Sequence, residues 1–113
     1  MNHVILIGRL VESPKSEAYE ENIDRMAVTL AVPRTFKNKD GIYETDFIRC
    51  ILWNAIAKKT EEYCKKGDMV AIRGRLQVSK YVNEEGKEEY HEEVITESLS
   101  FVSSLHRKEE AYS

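Results

Sequence analysis

A two-residue alternation of apolar and small or polar side chains limits what this chain can fold into. Met26, Val28, Leu30 and Val32 alternate with Ala27, Thr29 and Ala31 until Pro33. In an extended strand successive side chains point to opposite faces, so such a run offers one face to a core and leaves the other free. Four other segments read as strands. Residues 4–11 (VILIGRLV) are rich in β-branched side chains and too short for a helix, with Gly8 marking a bend or bulge, and residues 43–53, 69–82 and 90–102 complete the set. The connections fit this reading. Pro14 and the polar stretch to Asp24 form a link, KNKDG at 37–41 carries an Asp-Gly hairpin signal, and NEEGK at 83–87 makes a turn. Strands two and three are therefore expected to form a hairpin turning at 38–41.

One segment has helical spacing. Ile56, Thr60 and Tyr63 fall at i, i+4 and i+7, Asn54 can cap the start, Lys65 and Lys66 occupy the last turn, and Gly67 follows. Five strands with a single helix between the third and fourth is the element order of the OB-fold, a five-stranded Greek-key barrel, and an all-β fold of that class is the expectation. With 113 residues, 42% of them hydrophobic, the chain suits one domain, expected over residues 1–105 with a short polar tail at 106–113. No apolar run approaches the roughly 20 residues of a membrane span, and the start lacks a basic then apolar leader, so a cytoplasmic location is expected. Cys50 and Cys64 are too few for a disulfide framework and are expected to be reduced.

The formal net charge of -3 argues on its own against a nucleic-acid partner, but the charges are segregated. Windows 25–39, 47–60 and 69–82 hold ten bases and no carboxylate: Arg25, Arg34, Lys37, Lys39, Arg49, Lys58, Lys59, Arg73, Arg75 and Lys80. Residues 12–24 hold five acids against one base, and residues 83–97 hold seven against one. The pattern implies a basic surface with acidic margins.

Strand parity tells which side chains share that surface. Phe47, Arg49, Ile51 and Trp53 lie on one face of the third strand, and Ile48, Cys50 and Leu52 on the core face. An arginine between two aromatics suits a face open to a partner better than a core. On the fourth strand Val70, Ile72, Leu76 and Val78 are expected inside, opposite Arg73, Arg75, Gln77, Ser79 and Tyr81. Phe36 stands at the mouth of the 37–41 turn beside Arg34, Lys37 and Lys39. Bases neutralise phosphates and rings stack on nucleobases, a combination that fits single-stranded nucleic acid because a duplex hides its base faces. Taken one at a time, Trp53 and Phe47 read more readily as core than as stacking rings, and Tyr81 and Phe36 read equally as covers for a barrel end. The lysines of the helical segment and the run Glu84, Glu85, Glu88, Glu89, Glu92 and Glu93 read as solvated.

Other chemistry finds little footing. The cysteines form no CxxC pair, and His3, His91 and His106 have no ligand spacing, so neither a metal nor a cofactor is expected. No GxSxG, phosphate loop or paired carboxylate in an apolar setting points to an enzyme. A protein-interaction adaptor of OB type, docking a partner on its aromatic face, stays open as a second reading.

Three segments, NHVILIGRL at 2–10, LAVPRTFKNKDGIYETDFIRCILW at 30–53 and YCKKGDMVAIRGRLQVSKY at 63–81, together resemble the bacterial single-stranded DNA-binding proteins. The resemblance runs from residue 2 to about residue 102. It implies an OB-fold, sequence-tolerant binding of single-stranded DNA, usual assembly as a homotetramer, and service in replication, recombination, repair or DNA uptake. It places the stacking aromatics on Phe36, Phe47, Trp53 and Tyr81. Phosphate contacts fall on Arg9, Arg34, Arg49, Arg73 and Arg75, with Lys37, Lys39 and Lys80 completing the basic set. Two departures stand out. The sequence ends at RKEEAYS, without the flexible linker and acidic tip through which replicative members recruit recombination and replication proteins, so recruitment by that route is not expected. Residues 15–25 (KSEAYEENIDR) are unusually acidic and lack the relatives' glycine turn.

Overall fold

In a computed structural model that describes residues 1–104, the chain forms six strands and one helix. The elements are β1 (Val4–Leu10), β2 (Glu17–Glu20), β3 (Ile23–Lys37), β4 (Tyr43–Trp53), α1 (Asn54–Tyr63), β5 (Met69–Val82) and β6 (Glu88–Ser103). Neighbours run in the order β1, β5, β6, β4, β3, and β1 then pairs with β3 through Arg9 opposite Ala31 and Leu10 opposite Leu30. That last pairing closes a five-stranded barrel. All its ladders are antiparallel except β4 with β6, which is parallel at Cys50 and Val94. Among the described residues no helix is long and apolar enough to cross a membrane.

The interior takes one parity of each strand. Leu10, Met26, Val28, Leu30, Cys50, Leu52, Val70, Ile72 and Val94 form the core, and Ala57 and Cys64 bring α1 and its exit onto it. Burial pushes the Cys50 thiol up to about 12, so it stays protonated and behaves as a small apolar side chain. Two glycines let backbones approach inside this narrow barrel. A Cβ on Gly8 would lie 2.6 Å from the Ala31 carbonyl oxygen, and one on Gly74 would collide with the Ile95 carbonyl oxygen. The ladder is also irregular at that second crossing, where Arg73 faces Ser98 but Gly74 faces Thr96. The architecture is an OB-fold.

Both long hairpins, β3–β4 and β5–β6, end in the same kind of turn. The Asn38 side-chain oxygen accepts from the backbone N–H groups of Asp40 and Ile42, and that of Asn83 accepts from Glu85 and Lys87. The glycine within each turn takes a positive φ, 76° at Gly41 and 80° at Gly86, where L side chains are strained.

Several sequence expectations need correction. Residues 17–20 are not a plain connection but a strand, β2, joined to β3 by a turn in which Asn22 rather than glycine supplies the positive φ of 62°. Pro33 does not end its strand. It lies opposite Thr45, and an irregularity between Pro33 and Lys37 absorbs the missing N–H. Leu76 and Val78 have the inward parity but are exposed, because β5 and β6 run past the barrel as a free arm and no core lies beneath them. Ile51 is buried although it shares the outward parity of Phe47. Asn54 does not cap its helix. It takes a φ of 51° and its side chain accepts from the backbone of Asp24, while Lys65 and Lys66 lie beyond the last turn. The domain boundary expected at 105/106 and His106 fall outside the described residues.

The Gly74 crossing gives a direct stability test. Gly74→Ala is expected to cost about 3 kcal/mol or more, because the added methyl meets fixed backbone. Gly86→Ala, which enters open space at a positive φ, is expected to cost only about 1–2 kcal/mol. Urea unfolding of the two variants checks the order, and equal losses would contradict the close crossing.

Candidate nucleic-acid interface

The outward parity of β3 and β4 forms one continuous surface. Arg25, Ala27, Thr29 and Ala31 on β3 lie opposite Trp53, Ile51, Arg49 and Phe47 on β4. The β3 side chains in the middle of this row are small, so the larger groups of β4 stand above a shallow floor. Phe47 is 66% exposed, and Phe36, farther out on the arm, is 64% exposed. The row continues on the other side of β4, where Ile51 neighbours Ile95 and Ile95 faces Arg75. Arg9 joins the floor opposite Ala31, with its Nη1 donating to the Gly67 carbonyl at 2.9 Å.

At the Trp53 end the sheet carries a polar cluster. Glu93 is only 1% exposed, and its carboxylate accepts from Arg49 Nε at 2.6 Å and from the Tyr81 hydroxyl at 2.8 and 2.9 Å. The Tyr81 hydroxyl in turn accepts from Arg25 Nη2 at 2.8 Å. The Arg25 guanidinium lies 5.8 Å from the Trp53 ring centroid, and Tyr19 of β2 packs edge-on against Trp53 at 5.1 Å. Burial alone would lower the Arg49 pKa and raise that of Glu93. The hydrogen bonds win, holding Arg49 above its ordinary value through Glu93 and Tyr81, and Glu93 below the usual carboxylate range through Ser79, Arg49 and Tyr81.

Glu93 therefore departs from the expectation of a fully solvated acidic hairpin. Its partners come from β4 and β5, so nothing in the local run of glutamates distinguishes it from Glu92. Arg25 and Tyr19 were also missed as members of the cluster. Arg25 could have been found, because it opens an acid-free window and shares parity with Ala27, whereas Tyr19 belongs to a strand with no apolar signal.

The remaining basic residues fall into two groups. Arg34 is bound to Asp46 at 2.9 Å and Glu44 at 2.5 Å, Lys80 to Glu88 at 2.7 Å, and Lys37 lies 5.6 Å from the Tyr43 ring centroid. The hydrogen bond and charge of Asp46 hold the Arg34 pKa up, and Arg34 holds the Asp46 carboxyl below its usual range. Arg73, Arg75 and Lys39 are exposed and, among the described residues, form no ion pair. Arg73 lies between Ile5 and Ser98, toward β1 and away from the Trp53 cluster. A cavity of about 670 Å³ lies elsewhere, between α1 and β6, lined by Ile56, Tyr63, Leu99 and Phe101 among others. None of the expected contact residues lines it.

The depressed Glu93 pKa fixes the sign of an acid effect. Its contribution to stability is fully present above the unfolded carboxyl pKa of about 4.3 and is lost as pH falls through the lower folded value. Glu93→Gln is accordingly expected to be less stable than the parent by about 1–2 kcal/mol between pH 7 and 5, with the gap closing below about pH 4. Urea midpoints measured from neutral pH into the acid range check it, and a gap that does not narrow as the pH falls would contradict the ionised pairing.

Comparison with known proteins identifies the family. The model of the single-strand binding protein family matches residues 1–102. The chain is 39% identical over 110 residues to single-stranded DNA-binding protein B of Bacillus subtilis (strain 168), with 97% of each chain covered. It is 40% identical over 102 residues to the single-stranded DNA-binding protein of Bacillus cereus, covering 90% of this chain and 60% of that one. With single-stranded DNA-binding protein 2 of Listeria innocua it shares 37% identity over 113 residues, all of this chain and 71% of the other. A barrel of this topology and a match across nearly its whole length show that the chain belongs to the single-strand binding protein family.

Proposed function

We propose that this chain binds and protects single-stranded DNA without reading its sequence, along the outward face of β3 and β4. Its activity is binding, not catalysis. The observation that carries the reading is the exposed ring of Phe47 and the half-exposed ring of Trp53 on a β4 face whose neighbouring β3 row includes the small residues Ala27, Thr29 and Ala31, with the exposed ring of Phe36 farther along β3. Flat rings over a shallow floor accept any base, because every base has a π-face. Arg73, Arg75 and Lys39 provide phosphate contacts with, among the described residues, no carboxylate to displace. Arg9, Arg34, Lys37, Arg49 and Lys80 join by exchanging or sharing partners they already hold, and the exposed pairs exchange readily in water.

Self-assembly, in the form of a homotetramer, is part of the proposal. β1 pairs with β3 only at Arg9 and Leu10, which leaves the other edge of its first half open. On that strand Ile5 is 73% exposed and Ile7 54%. An open edge with exposed isoleucines suits pairing with a second copy. We place the domain at residues 1–105, working in the cytoplasm wherever single strands are exposed during replication, recombination, repair or DNA uptake. Recombination or replication proteins are its further partners.

Trp53 is the single tryptophan and reports binding directly. Adding oligo(dT) is expected to quench its fluorescence, and raising salt to weaken binding with a log-log slope of about -0.7 per phosphate neutralised. Phe47→Ala is expected to cost about 1–3 kcal/mol of affinity, and Arg75→Ala to flatten the salt slope. Mass in solution, measured on the same sample, is expected to be that of four chains. Unchanged fluorescence with no gel shift would reject the DNA reading, and a monomeric mass would reject the assembly.

A further inference from the structure

The row of rings on the outward face does not stop at Tyr81. On the arm formed by β5 and β6, Gln77 lies opposite Glu93, Ser79 opposite His91 and Tyr81 opposite Glu89. Alternate residues of paired strands share a face, so His91 stands on the same side as Tyr81 and as Glu93, the partner of Arg49. Its ring packs edge-on against Tyr81 with the centroids 5.1 Å apart, and it is half-exposed. A strand that lays a base on Tyr81 therefore meets His91 as a neighbouring side chain.

The imidazole is held by one of its two nitrogens. Nε2 lies 3.2 Å from the Glu89 carboxylate, and Glu89 is itself fixed by the Asn83 side-chain amide, which donates to it at 3.1 Å from the turn that ends the arm. These bonds, Asn83 first and His91 second, hold the Glu89 carboxyl below its usual range. A carboxylate can only accept, which places a hydrogen on Nε2. Among the described residues no hydrogen bond reaches Nδ1. In the neutral ring that atom carries a lone pair and repels a phosphate. In the imidazolium it carries a second N–H and donates to one.

We propose that His91 is a further phosphate-contacting residue of the DNA face, acting as the imidazolium, so that the grip on single-stranded DNA tightens as the pH falls from 8 to 6. This rests on the reading that the outward face binds single-stranded DNA, and it adds both a residue and a proton to that binding. The titratable and charged groups facing the ring are Glu89 and Glu93 on β6, the Tyr81 phenol on β5, and the Arg25 and Arg49 guanidiniums on the Tyr81 ring. Guanidiniums keep their charge, and both carboxyls are held below the usual carboxylate range, so these groups do not change charge in the interval where imidazoles ordinarily do. Protonation and DNA binding are then reciprocal, each favouring the other by the same factor.

The test titrates the full chain with oligo(dT) over a salt series at pH 8, 7 and 6, alongside His91→Gln and His91→Lys, with thermal melts at each pH to confirm folding. The parent is expected to bind about three- to tenfold more tightly at pH 6 than at pH 8. Its log-log salt slope should be steeper by about 0.7 at the lower pH, the signature of one added phosphate contact. His91→Gln should lose both changes. His91→Lys, charged across the whole interval, should show the steeper slope at pH 8 as well as at pH 6. NMR of the imidazole should show that oligo(dT) raises the pH at which His91 takes its proton. Constant affinity and slope in the parent, an imidazole titration that DNA does not move, or a pH dependence that survives in His91→Gln would each overturn this inference and leave the DNA reading standing. Failure of the parent chain to bind oligo(dT) at any of these pH values would overturn both.

Discussion

The interior of a five-stranded barrel is narrow, and everything else in this molecule follows from filling it. Only one parity of each strand fits inside, and the backbones approach so closely that Gly8 and Gly74 have no room for a methyl group. The other parity turns to the outer side of the barrel, where most of it is exposed or half-buried while Ile51 and Glu93 are covered. On β3 this places Ala27, Thr29 and Ala31 in a low row, and on β4 it raises Phe47, Arg49 and Trp53 beside them. The proposed binding face is the geometric complement of the core.

Electrostatics then sorts the bases within that face. An overall charge of -3 says little about the local field, because the carboxylates are used in two ways. Asp46, Glu44 and Glu88 make exposed pairs with Arg34 and Lys80, which water and salt weaken and a phosphate can replace. Glu93 is different in kind. Buried and bonded to Arg49 and Tyr81, it acts as a fixed counter-charge, and its role is to hold groups in place. The same residue type is an exchangeable partner on the arms and a structural anchor at the base of the face.

Local patterns made much of the fold legible. The alternation of β3, the ranges of β4 and β5 and both asparagine-headed turns follow from neighbouring residues, because strand parity and turn chemistry are local properties. Core residues such as Val28, Cys50, Leu52 and Ile72 follow from the same parity. What escaped depends on distance along the chain. Leu76 and Val78 carry an inward parity, but the place where the barrel stops is set by which strands lie alongside, not by β5 itself. β2 is four exposed residues with no apolar alternation, stabilised by pairing with β3. The partner of Trp53 was hidden by the irregular stretch after Pro33. There β3 advances four residues while β4 advances two, so counting back from the turn misplaces Arg25 by two positions. Glu93 was hidden for the same reason, since its partners Arg49 and Tyr81 are 44 and 12 residues away.

A crystal structure of the full chain with a bound oligo(dT) measures the central claim most directly. Bases should lie against Phe36, Phe47 and Trp53, with the backbone passing over Arg49 and Arg75. A strand seated in the groove between α1 and β6, with the β3–β4 face bare, would contradict it.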